Sequence, residues 1–178
     1  MSNNRFNRIV LIITLSSIIV HSCGKHETYD LFPLKAGNEF YYNYQKRTEM
    51  IYTYTIGIES WKVVSDFQQG DSIVYVVERN LKAKTIIPAL KDTMDINETT
   101  QFLISEKRSS SLISFMGFKF KRYQDIPSIE LNSQGYSTMP SSRCTFKSDS
   151  GLIKYYYYHP PNQVKYISMF LDSLKVLP

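Results

Sequence analysis

Aromatic and β-branched side chains recur at every second position along most of this chain, and that period of two sets the fold class. Phe40, Tyr42 and Tyr44 alternate with Tyr41, Asn43 and Gln45. Tyr52, Tyr54, Ile56 and Ile58 alternate with Thr53, Thr55, Gly57 and Glu59, and Phe118 and Phe120 with Lys119 and Lys121. Successive side chains of a strand point to opposite faces, so such runs suit half-buried strands. No segment carries a helical period of ten or more residues with caps at its ends. The apolar inventory, 14 Tyr and 10 Phe beside the single Trp61, favours pleated surfaces for the same reason. The expected fold is all-β, an antiparallel meander forming a curved sheet or barrel-like domain, with a two-sheet β-sandwich as the alternative.

The strand runs are punctuated as a meander requires. Pro33 and Gly37-Asn38 precede the first strand, residues 66–71 read as a hairpin loop around Gly70, and Ser109-Ser110-Ser111 break the middle of the chain. The apolar parity switches between Ile58 and Trp61, which predicts a β-bulge near Glu59-Ser60. Residues 86–100 are the least regular, and 112–123 read as one strand kinked at Gly117. Pro127 and Pro140 bracket a weak strand and loop. Strands are expected over 141–147, 152–159 and 164–171, the last two flanking a turn at Pro160-Pro161-Asn162.

The amino-terminal residues belong to a different regime. Arg5 and Arg8 precede an apolar run from Ile9 to Val20, which is shorter than the ~20 residues a membrane-spanning helix needs and is interrupted by Thr14, Ser16 and Ser17. A basic start, a short apolar stretch and a small residue before a cut make a secretory signal. Val20-His21-Ser22-Cys23 resembles the lipidation box of bacterial lipoproteins, which implies cleavage before Cys23 and a lipid on its thiol. The expected organisation is a cleaved signal over 1–22, a lipidated Cys23 with a short tether over 23–30, and one β-rich domain over 31–178. An ordinary signal would leave Cys23 able to pair with Cys144 in an oxidising compartment. Lipidation leaves Cys144 alone, and its alternation with Phe146 predicts a buried core thiol.

Phe32-Pro33-Leu34-Lys35-x-Gly37-Asn38-x-Phe40-x-Tyr42, shortly after Cys23, is similar to the opening of small lipoproteins of Bacteroidota-type bacteria. Gly151-Leu152-Ile153-Lys154 and Leu171-Asp172-Ser173-Leu174-Lys175 are in the same style. The resemblance implies a lineage and an outer-membrane location, on the periplasmic face or the cell surface. It carries no reaction.

Charge and motifs narrow the function by subtraction. The formal charge of +5 shrinks when Arg5 and Arg8 leave with the signal, and no Lys or Arg run concentrates the remainder, so nucleic acid is not an expected partner. There is no Gly-x-Ser-x-Gly elbow, His-Glu-x-x-His, phosphate loop or paired-Cys metal motif. No catalytic residue, cofactor or metal site is assigned. Asp92, Asp95, Asn97 and Glu98 could offer oxygens to Ca²⁺, but their spacing is not that of an EF-hand and a solvated loop is expected.

The candidate binding residues are tyrosines. Of Tyr155, Tyr156, Tyr157 and Tyr158, a strand turns two inward to the core and two outward, where they could stack on a sugar, a lipid or a partner protein. Tyr42 and Tyr44 could line a cavity in an incompletely closed sheet or fill the core of a small barrel. The expectation is a non-enzymatic binding or interaction module held to the membrane by its lipid, with an envelope protein, glycan or hydrophobic ligand as partner. A carrier or chaperone of hydrophobic molecules is the alternative, and an envelope glycan hydrolase a more distant one.

Overall fold

The computed structural model describes residues 27–48, 52–133, 141–159 and 165–176. Cys23, the signal segment and the Pro160-Pro161-Asn162 turn lie outside them. The alternating runs form strands β1 (Tyr29–Asp30), β2 (Glu39–Thr48), β3 (Thr53–Gln69), β4 (Ser72–Ile87), β5 (Asp92–Lys107) and β6 (Leu112–Phe115). They continue as β7 (Phe118–Lys121), β8 (Tyr123–Gln124), β9 (Ser128–Ser133), β10 (Ser141–Lys147), β11 (Gly151–His159) and β12 (Lys165–Lys175). The expected all-β meander is present, and it is one curved, barrel-like sheet.

Ten strands pair in the order β7-β6-β5-β4-β3-β2-β12-β11-β10-β9, while β1 and β8 form a separate pair. Every pairing within the large sheet is antiparallel. The only departure from strict sequence order is that β2 sits between β3 and β12, so the first and last parts of the sheet meet at its centre. Native twist makes a sheet this wide curl rather than stay flat. The curl brings the two ends together: Phe120 on β7, at one edge, stacks 4.3 Å from Phe146 on β10, beside the other edge. Among the described residues this seam is closed by side chains and not by a ladder.

Aromatic side chains fill the end of the barrel near β6 and β7. Phe32 lies at its centre with no exposed surface, its ring 5.9 Å from Phe40, 5.7 Å from Phe115 and 5.2 Å from Phe146. Burying one such ring contributes about 1.5–3 kcal/mol. The chain places it there by running residues 29–38 across the open end. Leu31 donates its N–H to the Arg122 carbonyl at 2.9 Å, and Gly37 donates to Val63, which donates back to Asn38. Arg122 locks this plug with a two-pronged ion pair to Asp30, 2.9 and 2.8 Å, and a third bond to Glu106 at 2.9 Å.

Three local expectations are corrected. The bulge falls between Val63 and Ser65, and the ladders run unbroken through Glu59 and Ser60. Thr55, Glu59, Trp61 and Val63 therefore share the buried inner face, and Tyr54, Ile56 and Ile58 stand on the exposed outer face. The parity switch in the sequence marks a change in which face is apolar, not a change of direction. Residues 86–100 are regular: a 3₁₀ turn at Pro88–Leu90 joins β4 to β5, and β4 supplies a full ladder that outweighs the low strand preference of Asp92, Asp95 and Asn97. Gly117 is not a kink within one strand. Met116 and Gly117, with φ of 47° and 83°, form the two-residue hairpin turn between β6 and β7, where positive φ at both positions matches the strand twist.

Candidate functional site

The inner face can be followed strand by strand through the register. One belt consists of Leu131, Cys144, Tyr155, Met169, Tyr44, Gly57, Ala83 and Ile96, each the direct neighbour of the next on eight successive strands. It lies above the packed aromatic end. The next belt outward is Ser133, Ser142, Tyr157, Ile167, Lys46, Thr55, Thr85 and Met94. The concave surface thus grades from aromatic core, through an apolar and tyrosine belt, to a mouth rich in hydroxyls.

The candidate site is the part of that mouth formed by β9 to β12. A groove of about 770 Å³ is bordered on the inner side by Ser133, Ser142, Tyr157 and Ile167. It is bordered across the rim by Asn132, Arg143, Tyr156, Tyr158 and Ser168. The strand period explains how one groove holds three consecutive tyrosines. Tyr157 projects inward beside Ser142 and Ile167, while Tyr156 projects outward beside Arg143 and Ser168. Tyr156 is braced edge-on against Phe170, centroids 5.6 Å apart. The polar groups are also held: Arg143 Nε donates to Asn132 Oδ1 at 2.8 Å and lies 3.3 Å from Glu130, and the Ser133 and Ser142 hydroxyls are 2.8 Å apart.

Other proposed residues fall elsewhere. Tyr155 belongs to the belt below the groove, where burial first, and then Tyr157, Cys144 and Glu59, push its hydroxyl up to about 12. Tyr44 is buried in the same belt and is pushed up to about 12 by burial and by Glu59. Tyr42 lies deeper, fully buried against the Trp61 ring at 4.7 Å. Its hydroxyl is buried with no hydrogen-bond partner, and burial, then Glu59, raises it well above its ordinary value. Cys144 is a buried free thiol, as expected of a core residue, and is pushed up to about 12 by burial and, less, by Glu130. Asp92, Asp95 and Glu98 are strung along β5 and do not converge. Among the described residues no group of three or more metal-binding side chains is found.

Sequence reasoning missed two features. Glu59, Trp61 and Arg79 form a buried polar cluster inside the barrel. Glu59 and Trp61 share a strand face by their spacing, but only the register brings in Arg79. Ser133, Ser142, Arg143 and Asn132 reach the tyrosines through strand pairing as well, and nothing in their local sequence marks them.

No family model matches the chain, and no curated protein matches it. Among solved structures it is similar to a Bacteroides fragilis protein of YmcC-like fold that is held to be exported. The two share 8% identity, the match covers 83% of this chain and 100% of that one, and the TM-score is 0.42.

Proposed function

We propose that the chain is a lipid-anchored binding module of the bacterial outer membrane, without enzymatic activity, that receives a glycan in the tyrosine–serine groove. The groove is the observation that carries this reading. Tyrosine rings offer flat apolar faces with polar tips, and Ser133, Ser142, Asn132 and Arg143 border the same space with donors and acceptors. A hydroxyl-rich ligand of alternating apolar and polar faces needs both. The sites are largely pre-formed, since Tyr156 is braced by Phe170 and Arg143 by Asn132 and Glu130, so little ordering is lost on binding. The lipidation box at Cys23 supports the anchor.

The test is binding of the full chain to oligosaccharides released from the envelope of the producing bacterium, displayed as an array. The Tyr156→Ala/Tyr158→Ala variant, altered on the outer side of β11, is expected to keep its fold and lose at least tenfold in affinity, the scale of one or two lost stacking contacts. Undiminished binding by that variant would overturn the groove as the site. Retention of a Cys23→Ser variant in the membrane fraction would overturn the anchor.

A further inference from the structure

β5 carries a long free edge. On one side it pairs with β4 without interruption, from Asp92 opposite Ile87 to Lys107 opposite Ser72. On the other side β6 covers only Ser105, Glu106 and Lys107. Among the described residues nothing pairs with the outer edge of 92–104. Thr93 alone has its N–H answered locally, by the Asp92 carboxylate at 2.7 Å. In an antiparallel strand alternate residues turn their N–H and C=O away from the paired side, so this edge presents a row of unfilled backbone donors and acceptors.

Edges of this kind are ordinarily blunted by shortness, lysine, proline or a bulge. The other strands bordering the seam follow that rule: β7 has 4 residues and β9 has 6. Residues 92–104 do not. They contain no Lys, Arg, Pro or Gly, and their register with β4 has no shift. The side chains are also of one sign. Asp92, Asp95 and Glu98 are exposed, and the next cation along the strand is Lys107. Toward that end Leu103 is 60% exposed.

We propose that the edge of β5 over residues 94–104 receives an extended, basic strand from a partner protein, which continues the sheet across the incomplete part of the barrel wall. Backbone hydrogen bonds supply the affinity of such strand addition, and alternate side chains its specificity. Asp95 and Glu98 stand three positions apart, on opposite faces of β5, so the incoming strand carries one cation on each face opposite them and an apolar residue opposite Leu103. A second copy of this chain fits less well, because residues 92–104 contain no Lys or Arg to answer Asp95 and Glu98 across a pairing of two β5 edges. This site is separate from the tyrosine groove, and its fate does not depend on the glycan reading.

The probe is a synthetic peptide of about ten residues, within the usual strand range, made of valine and threonine with two lysines three positions apart, spaced to meet Asp95 and Glu98 on their opposite faces. Its controls are a glutamate-for-lysine counterpart and a version methylated at alternate backbone nitrogens. With the full chain, the basic peptide is expected to slow amide exchange in residues 94–104, and binding should weaken as salt rises. The acidic and methylated peptides should bind at least tenfold more weakly, having lost charge pairing or the backbone ladder. The Asp95→Lys/Glu98→Lys variant, altered only at exposed positions, should lose affinity for the basic peptide to the same degree. Equal binding of all three peptides, or protection confined to other strands, overturns the proposal. So does self-association of the chain with β5 amides protected in the absence of peptide.

Discussion

Glu59 and Arg79 meet diagonally across the β3–β4 ladder, Nη2 to Oε2 at 2.8 Å, because Arg79 stands opposite Trp61 and Glu59 opposite Leu81. The other Glu59 oxygen accepts the Trp61 indole N–H at 2.6 Å. Glu59 is only 1% exposed, so this carboxylate depends on both partners. Arg79 is held charged mainly by its bond to Glu59, which raises it above the ordinary guanidinium value against the opposing effect of burial. Removing the arginine leaves a buried charge uncompensated. Arg79→Leu is expected to cost about 3 kcal/mol, read as a lower urea midpoint with an unchanged slope. Adding Glu59→Gln should recover at least half of that loss, since a neutral amide can still accept from Trp61. A smaller loss in the single variant than in the double would refute the account.

The buried hydroxyls and thiol make a prediction about alkaline stability. Cys144, Tyr44 and Tyr155 are each pushed up to about 12, and Tyr42 is also raised, chiefly by burial. Each is neutral in the folded chain at a pH where its unfolded counterpart ionises. The unfolded chain therefore binds fewer protons, and stability falls as pH rises. The contribution is complete below the ordinary thiol value of 9.0 and is lost toward about 12. Urea titrations across this interval should show the fall, and tyrosinate absorbance should show exposed tyrosines ionising first. Thiol reagents at neutral pH should reach Cys144 only on unfolding.

Gly57 tests sheet curvature against residue preference. A Cβ built there would meet the carbonyl oxygen of Lys82 and both the Cα and Cβ of Ala83, the Cα at 2.5 Å. Valine favours strands in general, yet Gly57→Val should destabilise by about 1–3 kcal/mol, the range for overpacking. Adding Ala83→Gly should relieve only part of the loss, because the Lys82 oxygen and the residue 83 Cα remain. Thermal unfolding of the two variants against the parent decides it. A neutral or stabilising Gly57→Val would mean the two strands separate freely at this point.

Arg122 should behave as the lock of the plug. Burial alone would lower this guanidinium, but Asp30 and Glu106 raise it further, so it stays charged. Arg122→Ala should cost about 3–5 kcal/mol, since it strands two partly buried carboxylates. Amide exchange should then speed first at residues 31–34. Arg122→Lys should rescue little, because an ammonium cannot make the two-pronged contact with Asp30. Full rescue by lysine would show that charge alone holds the plug.

The period of two made the strands legible, and short polar or glycine-containing breaks made most of their ends legible. Cys144 was readable as core from its alternation with Phe146. What the sequence concealed depends on register. Ile56 and Ile58 look like core residues by type, yet the ladder places Thr55, Gly57 and Glu59 inside, on the face where Trp61 packs with Phe102 and Phe115 and Val63 is buried. The strand at 92–104 has poor local preference and exists because β4 templates it. The groove was half visible: the tyrosine run marks β11, but Arg143, Ser142 and Ser133 arrive from strands whose own sequences say nothing of them.

The plug also orders events in time. Phe32 leaves the ribosome early, but its nest is made of Phe115 and Phe146, and the centre of the sheet is incomplete until β12 has paired with β2. Contacts of such long sequence separation form slowly. An emerging chain therefore cannot trap itself in its final shape before nearly all of it has been made. This topology serves as a built-in delay.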